Sequence, residues 1–293
     1  MTRARPRLLV IGASAELYGS DRSLLAALPE LVEAFDAVVV APADGPFVEA
    51  AAALGADVRV LSDYAIRSRY LRPASFVPWL ARCGRSVAQL RRLHAERPFD
   101  LVYTNTLAAV SLGAAARAAL RAPHVVHIRE FPHQGRGQAR ALLEAVHRSA
   151  RHVVCNSHHT ARLVHEVVPA LRARTTVVHN GIVPPGPPPF SPVRAAAAAA
   201  GDAHDVLQVV CVGRIHPIKG QEVLLEAARH AGAGRRWHIH LFGDVLPEYE
   251  ELERRLRSIA DDAGLHVTWH GYVADTAAKY DGGDVAVVPS TAP

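Results

Sequence analysis

Short apolar runs alternate along the chain with longer stretches in which apolar residues recur every three or four positions. The first pattern predicts buried strands and the second amphipathic helices. In the first half, strands are predicted at 7–12, 36–41, 57–61, 100–104, 124–128, 152–155 and 175–179. Helices are predicted at 21–34, 79–96, 107–120, 138–149 and 157–168, with an Ala-rich helix after the second strand. Residues 63–78 show no clear period. Residues 183–192, VPPGPPPFSP, interrupt the pattern, because such proline density forbids regular helix or a central strand. Beyond them strands at 206–213, 237–242, 266–270 and 284–289 alternate with helices at 221–231, 247–263 and 274–280. Alternation of this kind predicts parallel sheets covered on both faces. The domains expected are 1–183, a Pro/Ala-rich linker at 184–205 and 206–293. Within the linker, the pattern leaves the alanine run 195–200 open between a short helix and extended chain.

Composition narrows the class without naming a function. With 49% hydrophobic and 21% charged residues, the 293-residue chain can bury a sizeable core. The net charge of +5 suits anionic ligands or an anionic surface. No aromatic-interleaved basic stripe or zinc-finger spacing accompanies it, so no nucleic-acid partner is expected. The three cysteines, Cys83, Cys155 and Cys211, form no C-x-x-C and fit a reducing cytosol. The basic start followed by LLVIGASA imitates a secretion signal, but it leads directly into an amphipathic helix and reads as a first strand. No apolar run approaches the ~18 residues of a membrane span.

The stretch 209–228, VVCVGRIHPIKGQEVLLEAA, carries the chemistry. A strand ends in a loop bracketed by Arg214 and Lys219, and a helix begins just beyond. Helix-terminal N–H groups and their dipole favour an anion. Arg adds a two-pronged grip on phosphate oxygens, and Lys adds a point charge. The same residues would also make an ordinary strand-to-helix turn with two solvated cations. Elsewhere, His127, Arg129 and Glu130 end a strand, where open α/β sheets bind ligands. Gly12 and Gly19 lie too far apart for a dinucleotide fingerprint, and Asp21 reads as a helix N-cap. Residues 79–97 form a basic amphipathic helix. Such a helix can present a solvated face or lie on an anionic membrane.

G-R-x-x-x-x-K-G followed by an apolar helix resembles the donor-diphosphate motif of the retaining glycosyltransferases of family four, two-domain enzymes of GT-B fold. The resemblance runs over essentially the whole chain. It implies two Rossmann-like domains and transfer of a sugar from a nucleotide-diphosphate donor to a hydroxyl acceptor, with retention. Arg214 and Lys219 would hold the diphosphate, and Gly19 would let the backbone approach it. His127 would lie near the reacting sugar, with Arg129 and Glu130 on donor or acceptor hydroxyls. Gly243 would flank the nucleotide, and Tyr272 and Val273 would read its base. Asn180-Gly181 resembles the turn that closes the family's first domain. The resemblance implies no cofactor besides the donor and no obligatory metal. The acceptor would be a glycan, a lipid-linked sugar or a small molecule, met in the cytoplasm or at the inner membrane face. The family pattern also places an E-x7-E motif after a P-S pair. Here Pro289-Ser290 stands three residues before the last one, so an incomplete second domain is expected. An epimerase of the same fold and a catalytically impaired transferase or partner protein are the alternatives.

Overall fold

The apolar runs of the first half assemble into one parallel sheet, built from β1 (Arg7–Ile11), β2 (Asp36–Ala41), β3 (Asp57–Val60), β4 (Leu101–Thr104), β5 (His124–Ile128), β6 (His152–Cys155) and β7 (Thr175–Val177). The computed structural model describes residues 5–66, 73–131, 136–181, 186–202, 205–231 and 236–291. Among them the strand order is β3-β2-β1-β4-β5-β6-β7. The helices are α1 (Gly19–Ala34), α2 (Pro46–Ala53), α3 (Pro73–Glu96), α4 (Val110–Leu120), α5 (Arg136–Ser149) and α6 (His158–Val167). Both sheet faces are covered, which explains why β1 is apolar without alternation. Leu8 and Val10 pack with Leu24, Leu28 and Phe47 on the α1–α2 side. Leu9 and Ile11 pack with Leu90 and Leu112 on the α3–α4 side. The order reverses between β1 and β4, and the crevice beyond the carboxyl ends of two such strands is where ligands bind in open α/β sheets.

Two features here were not read from the pattern. Helix α3 starts at Pro73, ahead of the expected 79, and Pro78 lies inside it. A proline there removes one hydrogen bond close to the helix start, where fewer are lost. Residues 67–72 of the aperiodic stretch lie outside the described residues. Further on, Tyr64 is buried with its hydroxyl 2.8 Å from the Gly12 carbonyl and 2.9 Å from the Val40 carbonyl, which pins this stretch over the ends of β1 and β2.

The chain divides into two compact units, Met1–Val183 and Pro184–Pro293. The second contains α7 (Pro192–Ala200), β8 (Leu207–Val212), α8 (Gln221–Ala231), β9 (Trp237–Phe242), α9 (Glu250–Asp262), β10 (His266–Gly271) and β11 (Val285–Ala286). Its parallel sheet has the order β10-β9-β8-β11. Val209, Cys211, Ile239 and Leu241 meet Leu224, Leu225 and Leu256 of α8 and α9. On the other face Val193 packs against Val210 and Phe242.

Three expectations need correction. The segment expected as linker contains α7, because Ser191 caps it, Pro192 starts it, and Gly201 ends it at a left-handed φ of 69°. Burial of Val193 makes this helix part of the second unit; residues 184, 185, 203 and 204 lie outside the described residues. The expected helix at 274–280 is a series of turns. Asp275 takes the N–H groups of Ala277 and Ala278, and Gly282 at φ 83° reverses the chain two residues past Tyr280. The strand expected at 284–289 shortens to the two residues of β11.

Candidate functional site

In the second unit, the loop between β8 and α8 is braced from several sides. Gln221 donates its amide to the Gly213 and Arg214 carbonyls at 3.1 and 2.9 Å. Ile215 N–H bonds Asp244 O, and Gly213 N–H bonds Phe242 O. His216 Nδ1 accepts the Ile218 N–H at 3.2 Å and starts a short turn over Pro217–Lys219. Gly220 then takes φ 70°, and a Cβ there would lie 1.9 Å from the Pro289 carbonyl oxygen. Thr291 N–H closes the loop on Ile218 O.

Arg214 and Lys219 are both exposed at this loop. The Lys219 stem lies along Gly213, where an added Cβ would be 3.5 Å from its Cδ. Burial lowers the proton affinity of His216, and both cations lower it further, so their charges act on one neighbourhood. Beside them a cavity of about 320 Å³ is lined by Gly213, Gln221, Gly243, Asp244, Trp269 and Gly271, among others. It occupies the carboxyl ends of β8, β9 and β10. Gln221 is buried and leaves Oε1 without a partner. Gly243 approaches the loop so closely that a Cβ would lie 2.2 Å from the Gly213 oxygen. Gly243 N–H also bonds Gly271 O at 2.8 Å. Past Gly271, Tyr272 is exposed with Lys279 Nζ 5.8 Å from its ring centre, and Val273 packs at the Val210–Phe242 cluster.

In the first unit, Gly19 opens α1, and a Cβ there would meet nothing within 4 Å. Neither sterics nor backbone conformation requires glycine at this position, which leaves open space over the helix start. Arg129, just past β5, is held by three oxygens: Asn105 Oδ1 at 2.7 Å, Ser23 Oγ at 2.6 Å and Asn180 Oδ1 at 2.7 Å. Glu130 is exposed. His127 is buried with Nδ1 2.6 Å from the Tyr103 hydroxyl and Nε2 without a partner. Burial first, then Arg129, push its pKa down to about 3, so the ring is neutral. Burial raises the Tyr103 pKa, with nearby Arg129 opposing the rise, so the phenol stays protonated. With the phenol donating to Nδ1, the neutral histidine carries its proton on Nε2.

Asp21 is the third residue of α1, not its cap; Tyr18 holds the cap position without a side-chain bond. Its carboxylate is buried, reaches toward the Tyr18 N–H and the Ser14 hydroxyl, and closes a hydrogen bond on neither. Burial, with Glu130 adding to it, raises its pKa to about 6.

The family model for Glycosyltransferase Family 4 matches residues 18–184, more than half of the chain. The chain belongs to glycosyltransferase family 4. A second model, Glycosyl transferases group 1, matches residues 207–293. Among solved structures, HepE from Anabaena in complex with UDP and glucose is 23% identical with a TM-score of 0.77, covering 99% of this chain and 75% of that one. A glycosyltransferase from Rickettsia africae is 14% identical with a TM-score of 0.69, covering 98% and 74%. Sucrose-phosphate synthase from Thermosynechococcus elongatus is 19% identical with a TM-score of 0.68, covering 97% and 75%. No curated protein matches in sequence. The fold is the Rossmann-like α/β architecture of GT-B glycosyltransferases.

Within this family 4 chain, the structure groups Gly19, His127, Arg129 and Glu130 in the first unit. Arg214, Lys219, Gly243, Tyr272 and Val273 fall in the second. Tyr103, Asn105 and Gln221 were not anticipated. The signal available for the first two was the polar ending of β4, Tyr103-Thr104-Asn105, at a strand's carboxyl end. Gln221 sits directly after the motif and reads locally as a helix-start residue.

Proposed function

We propose that the chain transfers a hexosyl group from a nucleoside-diphosphate sugar to a hydroxyl acceptor, with retention of configuration. The observation that carries this reading is the braced loop at residues 213–220, which holds the exposed cations Arg214 and Lys219 and lines a cavity with its Gly213 and Ile215. A cavity of about 320 Å³ is at the small end of the range for ligand sites. The leaving nucleotide gains negative charge as the glycosidic bond breaks, and fixed cations there stabilise the transition state more than the ground state. With two protein cations meeting that charge, the reaction needs no obligatory metal. HepE's UDP complexes make a UDP-sugar the first donor to test.

His127 acts in this scheme as a neutral Nε2–H donor to a sugar oxygen. A ring protonated only near pH 3 is too weak a base at neutral pH. The leaving phosphate then takes the acceptor proton. Arg129 and Glu130 position hydroxyls, Gly243 flanks the nucleotide, and Tyr272 and Val273 meet the base. Gly19 leaves room at the α1 start for the donor phosphates.

For the acceptor, a lipid-linked sugar at the cytoplasmic membrane face fits α3. Trp79, Val87, Leu90 and Leu93 of α3 turn into the core, while Phe76, Val77 and Leu80 are exposed. No helix among the described residues is long and apolar enough to cross a membrane.

Transfer assays with UDP-, GDP- and ADP-sugars test the function. Arg214→Ala and Lys219→Ala should each lower turnover at least about tenfold, or about 1.4 kcal/mol of barrier. Unchanged rates in both variants would remove the assigned role of the loop.

A further inference from the structure

The face of the second sheet opposite α8 and α9 is unusual in what it buries. Alternate positions of β9 carry His238 and His240, both fully buried. At the amino end of β9 and β10, away from the donor loop, His238 meets Asp202 and His266. Asp202 Oδ2 is 2.6 Å from His238 Nδ1, and Asp202 Oδ1 is 3.7 Å from His266 Nδ1. One ligand atom from each of the three residues falls within 4.8 Å of the other two. The two imidazoles stack with centres 3.7 Å apart.

Surrounding groups hold this set in place. His238 Nε2 lies 2.7 Å from Thr268 Oγ1, so the ring nitrogen away from Asp202 has its own partner. Gln208 donates to Asp202 Oδ2 at 3.0 Å and is oriented by His240 Nε2 on its Oε1 at 2.8 Å. Metal-ligating histidines show this arrangement, with the second ring nitrogen bonded to a neighbouring group. A hydrogen bond between Asp202 and His238 accounts for only part of the geometry. His266 turns its Nδ1 to the same carboxylate at a distance too long for a hydrogen bond.

We propose that Asp202, His238 and His266 form a divalent metal site of the zinc type, with water as fourth ligand. Two imidazoles and one carboxylate suit zinc among the borderline divalent ions. Zinc lies about 2.0–2.1 Å from each nitrogen, so Asp202 must give up its 2.6 Å contact with His238 Nδ1 and His266 must swing closer, which its half-exposed side chain is able to do. The ion ties the segment after α7 to the first residues of β9 and β10. Its role is structural, at the end of the sheet remote from the donor loop.

The test uses the full chain without a histidine tag, stripped with chelator and titrated with zinc by calorimetry and with cobalt by visible absorption. A single equivalent of each metal should bind, cobalt should give a tetrahedral spectrum, and zinc should raise Tm. Asp202→Asn and His266→Ala should each weaken binding at least about tenfold, and Thr268→Val should weaken it by a smaller factor. His266 is partly exposed, so its variant keeps the fold, checked by circular dichroism. Absence of a defined equivalent, or equal affinity in wild type and both ligand variants, overturns the site. Since the readout is metal binding, it stands or falls apart from any transferase assay.

Discussion

Replacing Asp21 with Asn should stabilise the protein at high pH and do nothing at low pH. The folded chain binds this carboxyl proton at about 6 in place of 3.8, chiefly because burial disfavours the charge. Below pH 3.8 both folded and unfolded chains hold the proton, and no penalty exists. As pH rises toward 6 the unfolded chain releases it more readily, so stability falls; above 6 the whole penalty is present. The difference, 6 − 3.8 = about 2.2, at 1.36 kcal/mol per tenfold change in affinity, caps the penalty at about 3 kcal/mol. Relaxation and screening around a carboxylate near Arg129 reduce that to about 1–2 kcal/mol. Asn keeps the shape and removes the charge. Urea unfolding of both proteins at about pH 4.5 and about pH 8 should show the Asn variant ahead by that full amount at the higher pH and by only about a third of it at the lower. A variant less stable than wild type at high pH, or a gap independent of pH, would mean that the carboxylate is held by bonds that offset its burial.

The buried histidines act with the opposite sign. His124 at about 4 and His127 and His240 at about 3 stay neutral in the fold while the unfolded chain takes up protons below 6.5. Stability of the Asp21→Asn protein should therefore fall steadily as pH drops from 6.5, and a flat profile would contradict the burial of these rings. Nitrogen-15 spectra should show His127 as the Nε2–H tautomer down to about pH 5, whereas a titration near the ordinary value would refute the Tyr103 hydrogen-bond assignment. Gly220→Ala forces a side chain into φ 70° and against the Pro289 carbonyl, so urea unfolding should show a loss of at least about 2 kcal/mol. Phe76→Ser with Leu80→Ser should abolish co-sedimentation with acidic vesicles while leaving the fold intact. Wild-type protein that fails to sediment removes the membrane contact altogether.

The strands at 36–41, 124–128, 152–155 and 237–242 were legible to the residue, because each is a short run rich in apolar residues set between helical patterns. Helix α8 was equally clear from its apolar spacing. The first turns of α3 were missed because residues 63–78 show no clear period, while the helix is anchored by Cys83 and Leu90 further along. Residues 274–280 had helical spacing but too little length before the Gly282 turn. In the site, Arg214 and Lys219 could be read because one short loop holds both. The clamp on Arg129 could not, because Ser23, Asn105 and Asn180 come from three distant segments. Asp202, His238 and His266 were invisible for the same reason, since parallel pairing alone brings 238 beside 266.

The place of β1 in the middle of its sheet has a consequence for biogenesis. Its second neighbour is β4, with Leu8 opposite Leu101 and Ile11 opposite Thr104. As the ribosome releases the chain, this strand, buried along its whole length, therefore waits with one edge unpaired until that later segment emerges. Pairings so far apart in sequence form slowly, and open edges invite association with other chains. A nascent chain arrested before residue 101 should be held by chaperones, and one extended past 128 should be released from them.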